Sequence, residues 1–527
     1  MKIKDLLSID LNVDIKNVIN IEDVSENEIQ KEIEDYIVTE GLAKDFEQFL
    51  DKFTSNAVET GVWISGFYGS GKSYFAKMIG YLLANQNING TPSRERLLNR
   101  FTGIEDEMFF KNKIAKLDRY HNLVVFLDIA KQDTSKGLSY TLFKNFLKTI
   151  NLPQDEYGYM LFNSMIAAGK TDIYAYVKEV IGKEWTELKG NMRTYFTACK
   201  DIHIKSGLSE KEYDQLLISI RSAIDVFSPA DLARELKSYI QIKTDTSIVL
   251  MFDETSEAIN QRKITLLDLE GVSEALNTLG GKVWTIAIAQ EKLDDVISNA
   301  SISKASLVKV TDRFVEKIHL EATEVDTIIK SRILKKTTEG VKLLNDYYQS
   351  NSGKIGDHSN LNGYGISNTA TVESYTSYYP FYENQFSLLQ NFLFGTKGYA
   401  STKVAARGMI ITTFDIVRKL VKEDELYNTV TGWQIAREAN NQPDIRLSTR
   451  YNAAEKVLEN NTINGRKLLE TINFLSESEV VKTSILNIAK AYFNNADDVI
   501  KKQNEIKEAL QILVDAKIVI ESDNAFK

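Results

Sequence analysis

The 527-residue chain predicts an α/β fold built on a parallel sheet, with helices inserted into it and appended to it. Three observations carry that expectation. A short apolar run, Gly61–Ser65, leads straight into Gly66-Phe67-Tyr68-Gly69-Ser70-Gly71-Lys72-Ser73, which fits G-x-x-x-x-G-K-[ST] at every fixed position. Three further apolar runs end in acidic or polar residues and alternate with helical patterns, as strands of a parallel sheet do. The remainder, with only five prolines, reads as predominantly helical. Glycines in the first motif let the backbone curl its N–H groups around phosphates. Lys72 then reaches the β- and γ-phosphates and the Ser73 hydroxyl ligates Mg²⁺. The helix expected near 72–86 aims its positive end at the same anion. The pattern predicts a P-loop that binds a nucleoside triphosphate.

Composition removes several other classes. A formal charge of −9 makes the surface as a whole a poor match for nucleic acid, so any DNA contact needs a local basic patch. Cys199 is the only cysteine, and the four histidines are scattered, which excludes a disulfide framework, a cysteine zinc site and a histidine metal cluster within the chain. The opening Met1-Lys2-Ile3-Lys4-Asp5 is too charged for a secretory h-region, and no apolar run approaches a membrane span. The expectation is a soluble cytoplasmic protein.

The elements then follow in order. Residues 1–55 read as a helical lead-in, with helices at Glu26–Ile37 and Leu42–Phe53 and Ser25 with Glu28 as a capping box. Residues 56–322 form the nucleotide-binding core. Its strands are the P-loop strand, Leu123–Leu127 ending at Asp128, Ser247–Phe252, and Val283–Ala289, with a helix near 268–279 between the last two. A helical insertion at about 137–242 includes a helix start marked by Ser228, Pro229 and Asp231. Residues 323–425 read as a helical lid, beginning with a helix at Thr323 and interrupted by a long loop at 350–378 rich in Ser, Asn, Gly and Thr. Residues 426–527 are helical, and their last part allows a winged helix: helices near 480–493 and 501–514, a strand at Lys517–Glu521 and a turn at Ser522-Asp523-Asn524. The short remainder after that turn suggests an N-terminal piece of a longer protein.

Phosphoryl transfer asks for positioned charge more than covalent help, so the strand ends are where catalytic groups are sought. Asp253 and Glu254 close the strand Ser247–Phe252: Asp253, with Ser73, holds the Mg²⁺ shell and Glu254 polarises the attacking water. Asp128 is a competing strand end that lines the site or caps the following helix. Gln290 follows the next strand and either senses the γ-phosphate or holds the lytic water. Arg313, in Thr311-Asp312-Arg313-Phe314, is expected to act as a finger on a neighbouring copy, which implies a homo-oligomer. Arg332 and Arg407 are lesser candidates for a lid contact.

P-loop, acidic strand, polar strand end and Asp-Arg-Phe turn occur in the order of an AAA+ core and resemble origin-recognition and loader ATPases. The flanking residues narrow the likeness. Glu34-Asp35-Tyr36-Ile37-Val38-Thr39-Glu40, the P-loop stretch 61–73, Ala289-Gln290-Glu291, Tyr379-Pro380-Phe381 and Phe386-Ser387-Leu388-Leu389-Gln390 resemble the P-loop ATPase (BrxC) family of bacterial BREX phage-exclusion systems. The likeness is intermittent over about 35–410. It implies an ATP- and Mg²⁺-dependent phage-defence ATPase whose partners include a DNA methyltransferase and a phosphatase-like protein. The chain departs from the usual pattern in its acidic strand, which reads Phe-Asp-Glu-Thr; the two acidic roles survive that change.

Two other readings stand beside this one. An ATP-gated DNA-binding or scaffold protein with little turnover draws on the C-terminal segment, although Asp497, Asp498, Glu505 and Glu508 leave it poorly basic. A small-molecule kinase fits the P-loop alone but not the Asp253-Glu254 pair. The leading expectation is ATP hydrolysis that drives assembly or remodelling on DNA or partner proteins.

Overall fold

The computed structural model describes residues 1–11, 20–55, 57–66, 71–299, 304–320, 325–363, 369, 371–397 and 402–527. These fall into two compact units. One gathers the described residues of 20–320, the other those of 1–11 and 325–527.

The first unit is organised by five parallel strands: β1 (Gly61–Gly66), β2 (His121–Asp128), β3 (Thr246–Asp253), β4 (Val283–Ala289) and β5 (Glu316–Leu320). Their order across the sheet is β2-β3-β4-β1-β5. Every residue of β3 and β4 is buried, which is why both read as unbroken apolar runs instead of alternating ones. Successive side chains supply two cores. Val62, Ile64, Val249, Met251, Ile286 and Ile288 join the apolar faces of helices α1 (Glu26–Asp35), α2 (Glu40–Thr54) and α3 (Lys72–Ala84). Trp63, Val125, Leu250, Phe252 and Ala287 join residues of the helical insertion. Each fully buried side chain of this size contributes about 1.5–3 kcal/mol.

The insertion is seven helices from Gly137 to Ile242. Its sequence signals are realised as hydrogen bonds. Ser228 Oγ accepts from Asp231 N–H at 3.2 Å, Asp231 Oδ2 accepts from Ser228 N–H at 2.9 Å, and Pro229 opens the helix. Ser209 and Glu212 form a second reciprocal pair.

In the other unit one continuous core runs from Ile3 and Leu6 through the helices to Phe526. Residues 323–425 and 426–527, expected as separate domains, share it: Phe392 packs on Phe474, and Val430 N–H bonds to Pro380 O at 2.9 Å. The expected 1–55 lead-in is likewise divided. Met1–Leu11 is stitched into this unit by Ile3 N–H to Asp424 O, Lys4 N–H to Lys422 O and Thr337 N–H to Leu6 O, whereas 20–55 belong with the sheet. Near the C-terminus, helices Ile485–Tyr492 and Ala496–Asp515 precede a hairpin of Glu521–Ser522 against Ala525–Phe526. Phe526 N–H also bonds to Thr483 O at 3.1 Å.

Other boundaries differ from expectation for local reasons. Ser25 caps α1 by position, but its hydroxyl donates to Asp23 Oδ1 at 3.0 Å, so the capping box with Glu28 does not form. The 350–378 loop is largely helix, in Thr338–Ser359 and Val372–Tyr378. There Ser350 and Asn351 turn back to carbonyls four residues earlier while Leu344, Ile355, His358 and Ser359 are buried, so part of the polar run is a solvated helix face and part packs inward. Thr323 lies outside the described residues; helix begins at Val325 and widens over Ile329–Ile333. The C-terminal turn is Asp523-Asn524, and the strand before it starts at Glu521 instead of Lys517. Among the described residues, no helix is long and apolar enough to cross a membrane.

Candidate functional site

All five strands run the same way, so their C-terminal ends share one edge of the sheet. β1 ends at Gly66, and Phe67, Tyr68, Gly69 and Ser70 lie outside the described residues. The chain is described again at Gly71, whose φ of +84° is left-handed backbone that a side chain would strain. α3 then begins at Lys72. Its placement against the sheet depends on Gly80: a Cβ there would meet the Phe126 ring of β2.

The first turn of α3 meets the end of β3. Ser73 lies beside the Asp253 carboxylate, which accepts the Glu254 N–H at 2.8 Å. Burial pushes the Asp253 carboxyl up to about 6; Ser73, the Glu254 N–H and Lys72 pull it down and the Glu254 charge adds to the rise. Lys72 itself is buried. Glu254 occupies left-handed backbone at φ +56°, which turns the chain out of the strand and into the helix Thr255–Asn260. Its Oε2 accepts from the Gln290 side-chain amide at 3.1 Å. Gln290 is fixed in turn by its own N–H, which donates to Ser256 Oγ at 3.0 Å. Three of the expected residues, Asp253, Glu254 and Gln290, are therefore linked by hydrogen bonds, with Ser73 and Lys72 beside them.

Arg313 is elsewhere. It immediately precedes β5, at the N-terminal edge of the sheet, where its carbonyl abuts the start of β1 at Gly61. Its guanidinium pairs with Glu59 at 3.2 Å and Glu274 at 3.0 Å. Arg332 lies in the turn Ile329–Ile333 and Arg407 in the helix Thr402–Asp415, both in the other unit.

Asp128 ends β2 in register with Asp253. Its Oδ2 pairs with Lys131 Nζ at 2.6 Å, and its N–H, on the open side of an edge strand, donates to Glu22 Oε1 at 3.0 Å. Glu22 also accepts from Gln132 Nε2 at 2.7 Å. The segment carrying Glu22 is held on α3 by Lys77, whose fully buried ammonium donates to Asn20 O, Asp23 O and Glu32 Oε1, while Tyr81 donates to Glu32 Oε2. Burial lowers the Lys77 pKa and raises that of Glu32, and their attraction opposes both shifts. Glu22, Lys131, Gln132 and Ser256 were not legible in the sequence: none belongs to a spaced motif, and Glu22 arrives from outside the sheet.

Chemically, the edge offers an oxygen pair, Ser73 and Asp253, for a hard cation. Among the described residues no group of three or more His, Cys, Asp or Glu stands ready to hold a metal by itself. The donor set thus fits an ion such as Mg²⁺, which binds through one carboxylate and a hydroxyl and completes its shell with ligand oxygens and water. No protein-family model matches the chain.

Proposed function

We propose that the chain is an ATPase that binds ATP with Mg²⁺ at the C-terminal edge of its sheet. The single observation that carries this reading is the meeting of Ser73, in the first turn of α3, with the buried Asp253 carboxyl at the end of β3. It brings the last residue of the phosphate-loop motif to the acidic strand end, two positions far apart in sequence. Ser73 and Asp253 would hold Mg²⁺, which when bound neutralises charge on the phosphates. Lys72 contributes a buried positive charge at the start of α3, and Gly71 supplies the left-handed backbone from which that helix starts. Glu254 is the base that orients and polarises water, and Gln290 aims it. The reading as an AAA+-like core is supported by strand order: β4, with Gln290 at its end, lies between the loop strand β1 and the acidic strand β3.

By resemblance, the ATPase belongs to a bacterial BREX defence complex with a methyltransferase and a phosphatase-like protein, and nucleotide state drives its assembly on DNA or on those partners in the cytoplasm. A second reading, a nucleotide-gated scaffold or DNA-binding protein, is favoured by one observation. The order helix, helix, hairpin at 485–526, with Phe526 returning to Thr483, is that of a winged helix. The second of those helices, Ala496–Asp515, carries more acidic than basic residues, which favours a protein partner over DNA.

Titration with ATP tests the primary reading. Lys72→Ala should lower ATP affinity at least about a hundredfold in the presence of Mg²⁺, the worth of about 2.7 kcal/mol, without changing the melting temperature by more than a few degrees. Equal affinity in parent and variant would remove the assignment.

A further inference from the structure

The turn after β2 presents a lysine to the same edge of the sheet. Asp128–Gln132 is anchored from both sides: Glu22 takes the Asp128 N–H and the Gln132 amide, and Lys263 donates through Nζ to Ala130 O. Lys131 N–H closes the turn on Asp128 O at 3.1 Å, and Ile129 N–H extends the ladder to Asp253 O at 3.1 Å. Lys131 thus projects from a built loop, with its ammonium on Asp128 Oδ2 and its side chain 75% exposed. Asp128, Glu22 and Glu254 all act on its charge and raise its pKa.

The charge balance of this edge gives that placement its meaning. Glu22, Asp128, Asp253 and Glu254 put four carboxylates around the strand ends, against Lys72, Lys131 and Lys263, whose ammonium is held on the carbonyl of Ala130. The group that distinguishes a nucleoside triphosphate from a diphosphate is a further anion, and it must lie within reach of the water that Glu254 activates. An anion added beside Glu254 is repelled unless a cation on that side meets it.

We propose that Lys131 is a specificity residue for the terminal phosphate: it exchanges Asp128 for the γ-phosphate and so makes this chain favour the triphosphate over the diphosphate. The proposal rests on the nucleotide reading above. In that reading Lys72 provides affinity for nucleotide in general, and Lys131 provides discrimination.

The experiment measures the affinities of ADP and of a non-hydrolysable ATP analogue, both with Mg²⁺, for the parent, Lys131→Met and Lys131→Arg. Lys131→Met should weaken the analogue about tenfold and leave ADP within twofold, while Lys131→Arg restores most of the loss. An unchanged ratio of the two affinities, or an equal loss of both, overturns the proposal: Lys131 would then only neutralise Asp128 or support the turn. A parent that binds neither nucleotide instead overturns the nucleotide reading and this proposal with it, so the two failures are told apart by the parent alone.

Discussion

Asp253 is the residue whose environment asks most of it. A carboxyl whose pKa is about 6 when folded and ordinary when unfolded is protonated in the folded chain over a window where the unfolded chain is already ionised. The folded state therefore holds more protons between about pH 4 and 6, and its stability falls as pH rises through that window, reaching its lower level above 6. Asp253→Asn removes this term, so the ligand-free variant should gain on the parent by up to about 2–3 kcal/mol above pH 6 and show no gain near pH 4. Denaturant melts at the two pH values check it, and a gain of equal size at both would point to packing instead of charge. Glu254 makes a separate prediction. Glu254→Gln keeps the shape and loses the base, so turnover should fall by about 10²-fold or more while ATP stays bound. Single-turnover rates beside equilibrium titration separate the two effects; a variant that turns over like the parent would pass the role to Asp128.

Strands and helices differ in how openly the sequence announces them. β3 and β4 were legible because strands buried on both faces are mostly apolar, and the cap at Ser228 was legible because its partner lies three residues on. Arg313, expected in an Asp-Arg-Phe turn, instead ends the helix Lys304–Arg313 shortly before β5. The loop at 350–378 misled because small polar residues suit a solvated helix face as well as a turn. What joins the site to the lead-in was hidden for a different reason: Glu22 and Lys77 act across long sequence separations, and no spacing rule reports such a pair. The packing of α3 shows the same limit, since nothing near Gly80 in sequence reveals the Phe126 ring. Gly80→Ala should cost about 1–3 kcal/mol by overpacking. The double variant Gly80→Ala with Phe126→Leu should recover part of that loss, a coupling that two independent costs would not give. Thermal melts of the four proteins supply the cycle.

For the molecule as a whole, Arg313 sets the sharpest question. In its own chain it sits at the N-terminal edge of the sheet, paired with Glu59 and Glu274, while the acidic residues gather at the C-terminal edge. A catalytic role for it requires a second copy. If that role holds, Arg313→Ala should bind ATP normally and lose about 10³-fold in turnover, and mixing it with Lys72→Ala should restore activity at composite sites. Specific activity that is constant on dilution, with no rescue on mixing, would leave Arg313 as an internal brace. The division of the chain into units has another consequence, one of timing. Ile3 and Leu6 are buried in a core against which residues 335–340 and 422–426 hold the segment that carries them. On a ribosome adding about 5–20 residues per second, residues 1–11 wait roughly 20–80 seconds for these partners, while the whole sheet unit has already been made. Residues 1–11 are made before the sheet unit and dock after it, and until then their apolar side chains are in the care of whatever meets the nascent chain.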